Sequence, residues 1–265
     1  MKRRRHTGST AAIALVAALL LSAPLVVLVV QASADSWRAP AIIPQRFGLR
    51  GIRAALADPL VPIAIRNSLV VALITLAVAL MIAWPAARAL AADKRRSLRL
   101  ALLAPLLIPP LALGEGLTPW LLRLGLADHL FAISLAHLVY VLPYVALALI
   151  PGFTTGLVEK EHAAASLGAG ALFRIRTITV PGLRRHLALA CALGFAVSWS
   201  QYGTSVAVGG GVPMLPLVLV PFARADPQIA AVLDLVFLIP PLALTVGAAM
   251  LRQHGELPNR TWPLR

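Results

Sequence analysis

Runs of about twenty apolar residues recur along this chain, and they restrict its fold more than any other feature. A bilayer core of about 30 Å is crossed by roughly 20 helical residues, whose backbone groups must be satisfied within the segment itself. Thr10 to Val30, Ile63 to Leu90, Leu130 to Ile150 and Ile229 to Leu251 have this length. A further run starts near Leu98 and passes Pro105, Pro109 and Pro110 toward Glu115, and another extends from Leu187 to about Val208. Six transmembrane helices with both termini on one side are expected. With 59% hydrophobic and 13% charged residues and a mean hydropathy of +0.84, the chain is an all-α membrane protein by composition.

The first run has a second reading. Lys2-Arg3-Arg4-Arg5 precedes it, and Ala32-Ser33-Ala34 follows in the form of a signal-peptidase site. Its 21 residues exceed a usual signal core, which favours retention as a span.

Lys and Arg placement orients the chain, because short loops rich in them stay cytoplasmic. An inward N-terminus puts 17 of the 24 basic residues inside, in Lys2 to Arg5, Arg88 to Arg99, Lys160 to Arg185, and Arg252, Arg260 and Arg265. Arg38, Arg46, Arg50, Arg53, Arg66, Arg123 and Arg224 remain outside. The net charge of +14 therefore reads as topology and contact with anionic membrane lipid, with no nucleic-acid partner expected. The outer stretch Gln31 to Pro62 is rich in Pro and Gly and reads as an irregular connection, with a short interfacial helix over Ile52 to Leu60. Trp37 and Trp120 fall near the outer interface, where indole rings anchor.

Catalysis finds little support. The chain has no HExxH helix, no GxSxG elbow and no Walker A loop, and its one cysteine, Cys191, lies inside a span. His129 and His137 lack a third metal partner, and such histidines in a helix bundle read as hydrogen-bonded packing residues. No catalytic or metal site and no bound cofactor are expected.

Polar residues inside the spans mark where a transport pathway would run. A carboxylate at membrane depth costs about 2.5–3.5 kcal/mol on insertion scales and so faces a cavity or a partner. Asp234 fits that description, while Glu115 lies either within the membrane or at its outer mouth. Ser198, Trp199, Ser200, Gln201 and Tyr202 form a polar-aromatic cluster, with Ser198, Gln201 and Tyr202 on one face of a continuous helix. Cavity lining and helix-to-helix hydrogen bonding both account for it.

Between two apolar runs lies a basic cytoplasmic segment, Glu159 to His186. A helix over Glu159 to Leu167, a break at Gly168 and Gly170, and a second helix from Ala171 to Ile178 ended by Pro181 would make a compact knob for a groove on a partner.

That segment resembles the signature of the permease subunits of binding-protein-dependent ABC importers: EAA, three residues, Gly, nine residues, then I-x-L-P. Ala163, Ala164, Gly168, Ile178 and Pro181 stand at matching positions, with Val180 in the Leu slot. His162 occupies the acidic slot, and Glu161 comes one residue early, about 100° around the helix. The resemblance extends from about Ile63 to Leu251 and takes in Asn67-Ser68-Leu69, Leu142-Pro143-Tyr144 and Phe195 to Tyr202. It is closest to permeases serving polyamines, ferric iron, thiamine and related solutes.

The resemblance implies a MetI-like permease fold with a cytoplasmic coupling-helix loop. Residues 1–62 would form an N-terminal helix and outer loop, 63–251 the permease domain, and 252–265 a cytoplasmic tail. It also implies a second permease subunit, the same chain or another, two ATP-binding subunits that use the ATP, and an extracytoplasmic solute-binding protein. The expected location is a bacterial inner membrane. Glu161, His162 and the signature residues would meet the ATPase, and Glu115, Ser198, Trp199, Gln201, Tyr202 and Asp234 would line the pathway. The alternative is an ion-coupled secondary transporter with Asp234 or Glu115 as its coupling carboxylate.

Overall fold

A computed structural model describes residues 6–38, 40–92 and 96–253. Lys2 to Arg5, Lys94, Arg95, Arg260 and Arg265, used above for orientation, lie outside the described residues, as does nearly all of the tail.

Helix α1 (His6–Ala32) leads into a small antiparallel pair, β1 (Ala34–Ser36) with β2 (Arg46–Phe47), and then α2 (Arg50–Ala57). Next come α3 (Leu60–Ala92), α4 (Arg96–Leu103) with a 3-10 turn over Ala104–Leu107, α5 (Pro110–Arg123) and α6 (Leu130–Leu149). The basic segment between the apolar runs holds α7 (Thr155–Ser166), α8 (Ala171–Arg174) and a π turn, Ile175–Thr179. The last helices are α9 (Val180–Trp199), α10 (Gly203–Val208), α11 (Leu215–Ala225) and α12 (Pro227–Gln253).

Among the described residues, α3, Leu130–Gly152 and Pro227–Leu251 are long and apolar enough to cross a membrane. The pair Ser97–Leu107 and Pro110–Arg123 is a fourth if its two halves count as one span, and it is bent by 85°. Of the six expected spans, three stand whole by this measure and the third run forms the bent pair; the first and fifth runs are not among them, the first giving only the shorter apolar helix Ser22–Ala32 among the described residues. Near Ile108, Pro109 supplies no N–H and pushes the residue before it out of the helical region, so Ile108 is extended (φ −86°, ψ 126°).

The run from Leu187 to Val208 was expected as one helix, but α9 ends at Trp199 and α10 begins at Gly203. No proline causes this break. Ser200 Oγ bonds back to the Val197 carbonyl and Ser205 Oγ to the Gln201 carbonyl, and such side-chain bonds compete with the helical ladder. Gln201 and Tyr202 therefore do not share a helix face with Ser198. The short helix before α3 runs over Arg50–Ala57, earlier than expected, because Leu60 already starts α3.

The chain divides into two compact units, Met1–Pro62 with Val218–Leu238, and Ile63–Leu217 with Ile239–Arg265. In the first, Arg50 joins the connection between α1 and α3 to the start of α12. Its guanidinium donates to both Asp226 oxygens at 2.6 and 3.0 Å and to Gln228 Oε1 at 3.2 Å, while its Nε reaches the Asp35 carbonyl at 2.9 Å. The hydrogen bonds from Arg50 hold the Asp226 carboxyl below the usual carboxylate range. Trp37 donates its indole N–H to the Ala41 carbonyl within this unit, and in the second unit Arg123 lies over the exposed Trp120 ring at 5.3 Å.

The second unit is built on α6, whose apolar stretch is two-thirds buried. Its Val141, Val145 and Leu149 pack with Ala79, Ala83 and Ala87 of α3 and Leu183 and Ala190 of α9. Gly194 lets α9 come close, since a Cβ there would lie 2.7 Å from Val145 and 2.8 Å from Leu76. Trp84 meets Phe153 edge to face at 5.8 Å, which ties this core to the chain entering α7.

Candidate functional site

The segment singled out by its signature is a folded loop seated on the core of the second unit. Thr154 caps α7 by accepting from the Leu157 N–H, and Leu157 is buried with Phe153, Leu149 and Leu183. At the far end, Gly168 has φ +84°, and the Ala169 N–H returns to the Ala164 carbonyl at 2.9 Å. This is the left-handed helix end that glycine adopts without a Cβ penalty. Nothing lies within 4 Å of a Cβ built on Gly168, so its dihedral angle alone calls for glycine.

The return limb differs from expectation. The second helix does not stop at Pro181: α8 passes through the π turn directly into α9, with Pro181 in the first turn of α9. Pro181 has no N–H to donate back into the preceding turn, and the wider π turn stands where that bond is missing.

The acidic residue beside the signature is turned inward. Glu161 is 2% exposed, its Oε2 lies 2.6 Å from Arg88 Nη2, and its Oε1 accepts from Thr179 Oγ1. The carboxylate thus clips α7 to the end of α3 and to the π turn. His162, Ala163, Gly168 and Pro181 are exposed, Ala164 is half-buried, and Ile178 packs against the core. Arg88 has two small cavities beside it. One, of about 330 Å³, is lined by Arg88, Ala91, Ala92, Phe153, Thr155, Val158 and His162. The other, of about 160 Å³, is lined by Arg88, Glu161, Ala171, Arg174, Ile175 and Thr179.

Residues expected to line a pathway fall into different settings. Ser198, Trp199 and Gln201 are buried, with Trp199 stacked on Phe195 at 5.4 Å, whereas Tyr202 and Glu115 are exposed. Asp234 is half-buried on α12 and belongs to the first unit.

At the break in the fifth apolar run, His137 of α6 is wholly buried. Its Nδ1 lies 3.0 Å from Ser198 Oγ and its Nε2 3.0 Å from Ser205 Oγ, so one ring spans the gap between α9 and α10. Tyr140, one turn on, donates to the Ile108 carbonyl at 2.7 Å, at the break before α5. The packing reading of His137 accords with these bonds. The residue that sequence reasoning missed is Arg88, counted only as a loop cation. Its one signal was position: it lies two residues from the end of the apolar run Ile63 to Leu90.

Among the described residues no group of three or more His, Cys, Asp or Glu is placed to hold a metal ion.

No family model matches the chain. A Streptomyces antibioticus protein, ORF1, assigned to the ABC transporter permeases, is 32% identical over 190 residues, covering 69% of this chain and 82% of the relative. The molybdenum transport system permease protein ModB of Mycobacterium tuberculosis is 29% identical over 168 residues, 57% of this chain and 64% of its own length. ModB of Azotobacter vinelandii is also 29% identical, over 57% of this chain and 74% of that protein. A solved structure, a bacterial ABC transporter involved in import of the acidic polysaccharide alginate, aligns over 97% of this chain and 99% of its own with TM-score 0.64 and 17% identity, a likeness of fold. The chain belongs to the ABC transporter permeases. Membership does not favour the ion-coupled alternative.

Proposed function

We propose that this chain is one permease subunit of an ATP-driven importer, forming half of a pathway for a small solute handed over by an extracytoplasmic binding protein. Its six apolar runs, two of them broken, cross a bacterial inner membrane with both termini in the cytoplasm. A second permease subunit completes the pathway, and two ATP-binding subunits meet the chain at the α7–α8 loop.

The observation that carries this reading is the build of that loop. Gly168 reverses the chain between two short helices, and the Glu161–Arg88–Thr179 clip fixes the pair to α3 and α9. A push on α7 or α8 is therefore transmitted to two long helices without deforming a flexible tether. ATP shifts such a machine only by binding one state more tightly than the other. Ser198, Trp199 and Gln201 serve as helix-to-helix glue in this reading, leaving Tyr202, Glu115 and Asp234 as the pathway residues.

The test is co-purification of the ATP-binding subunit and ATP-driven uptake in proteoliposomes. Gly168→Pro should keep the chain folded and inserted while losing the ATP-binding subunit and uptake together. Full retention of that subunit by a folded Gly168→Pro chain would remove this loop as the docking element.

A further inference from the structure

The loop that would meet the ATP-binding subunit presents cations and apolar groups, and its one well-placed acid is unavailable. Both oxygens of Glu161 are engaged within the chain, by Arg88 and Thr179, and the residue is 2% exposed. His162, the next residue and about 100° further around α7, is exposed and closes a cavity of about 330 Å³ with Arg88. The rest of that cavity is largely apolar, with Phe153, Val158, Ala91 and Ala92.

Charge around the cavity is unbalanced. The Arg88 side chain is 43% exposed, so its guanidinium keeps donors facing outward after bonding Glu161. Arg174 stands across the neighbouring cavity, and its Nε is buried with no partner among the described residues. Two guanidinium groups thus face one carboxylate, leaving about one positive charge to be met from outside. Among the described residues of the loop, exposed Lys160, Arg176 and Arg184 add to it against one exposed acid, Glu159, and Leu167, Leu172 and Phe173 stand exposed between them.

We propose that the cavity between Arg88 and His162 receives a carboxylate side chain of the ATP-binding subunit, whose docking cleft is apolar at its floor and acidic at its rim. The proposal rests on the functional reading above and sets its charge chemistry. An imidazole N–H donates to a carboxylate whether the ring is neutral or charged, and guanidinium is the best-matched carboxylate partner. The apolar walls keep water from screening the contact. An acid at position 162 would point a negative charge at the incoming group, so the chemistry is the reverse of an acid-led contact.

The experiment uses the complete assembly of permease and ATP-binding subunits in detergent, with dissociation followed against salt. His162→Glu should weaken retention of the ATP-binding subunit at least tenfold, His162→Gln should keep it within about threefold because the amide still donates, and Glu159→Lys should tighten it. Position 162 is exposed, and unchanged helicity and elution volume confirm that the variants fold. Retention by His162→Glu equal to or tighter than wild type overturns the proposal. So does the outcome in which retention is unchanged throughout, but binding of the chain to phosphatidylglycerol vesicles falls with His162→Glu, which would make the cavity a lipid headgroup site. A wild-type chain that holds no ATP-binding subunit at any salt would remove the functional reading itself, which the variant series distinguishes.

Discussion

Two polar clusters in the same compact unit solve opposite problems. Around Glu161 the groups are charged and one partner, Arg88, is partly open to solvent. Around His137 the groups are hydroxyls and a ring at 0% exposure. The first fixes a surface loop, where an ion pair survives because only one member is fully desolvated. The second fills a helix break inside apolar packing, where unpaired polar groups are costly and a full charge would be costlier. Position in the fold thus selects the chemistry: ionic at the exposed loop and neutral at the buried break.

The largest effect expected is at the charged cluster. Arg88→Ala removes the ion-pair partner of a buried carboxylate, leaving it Thr179 and the Arg174 guanidinium across the small cavity, and should cost about 3 kcal/mol in thermal or denaturant unfolding. Adding Glu161→Gln should recover most of that loss, because the amide keeps a partner in Thr179 and carries no charge. Failure of the double variant to recover would mean that Arg88 acts by packing.

At the neutral cluster, His137→Ala leaves two buried hydroxyls to find new partners and should cost about 1–3 kcal/mol. Its unfolding loss should not respond to salt, whereas the wild-type contribution of Arg88 should shrink modestly in high salt. Equal salt sensitivity of the two clusters would erase the distinction drawn here.

Gly168→Ala tests the loop without touching either cluster. A left-handed alanine costs about 1–2 kcal/mol, and no neighbour blocks its methyl group, so the loss should be this small and local to α7 and α8.

The smallest effect belongs to a third kind of pair, the Arg50–Asp226 bridge, whose side chains are 44% and 24% exposed. Solvent limits such a pair to about 0–1 kcal/mol. Because Asp226 is held below its ordinary range in the folded chain, its contribution is present above about pH 3.9 and is lost as pH falls through the lower folded value. Asp226→Asn should therefore lower stability slightly at neutral pH and flatten the acid-side loss, as read from melting temperature against pH.

The apolar runs that became α3, α6 and α12 were legible because length and composition alone report burial in a bilayer. The break at Ile108 was half legible, since Pro109 and Pro110 announced a helix interruption and not a bend of 85°. The break at Ser200 was hidden: Ser, Gln and Tyr continue a helix as readily as they end one, and His137, whose ring bonds Ser198 and Ser205 across the gap, lies more than sixty residues earlier in the chain. The signature located the loop and the need for glycine at 168. It gave no direction for Glu161, because a carboxylate one position out of register points inward only if a cation waits there. Arg88 is that cation, and it comes from a different helix.

Hydrogen–deuterium exchange across Thr155–Thr179, with and without the ATP-binding subunit, tests most directly whether this loop is where the chain is driven. Slower exchange on the exposed stretch around His162–Phe173 is predicted once the subunit is added, with exchange around His137 unchanged. Unaltered exchange in the loop while the subunit is bound elsewhere on the chain would contradict the account.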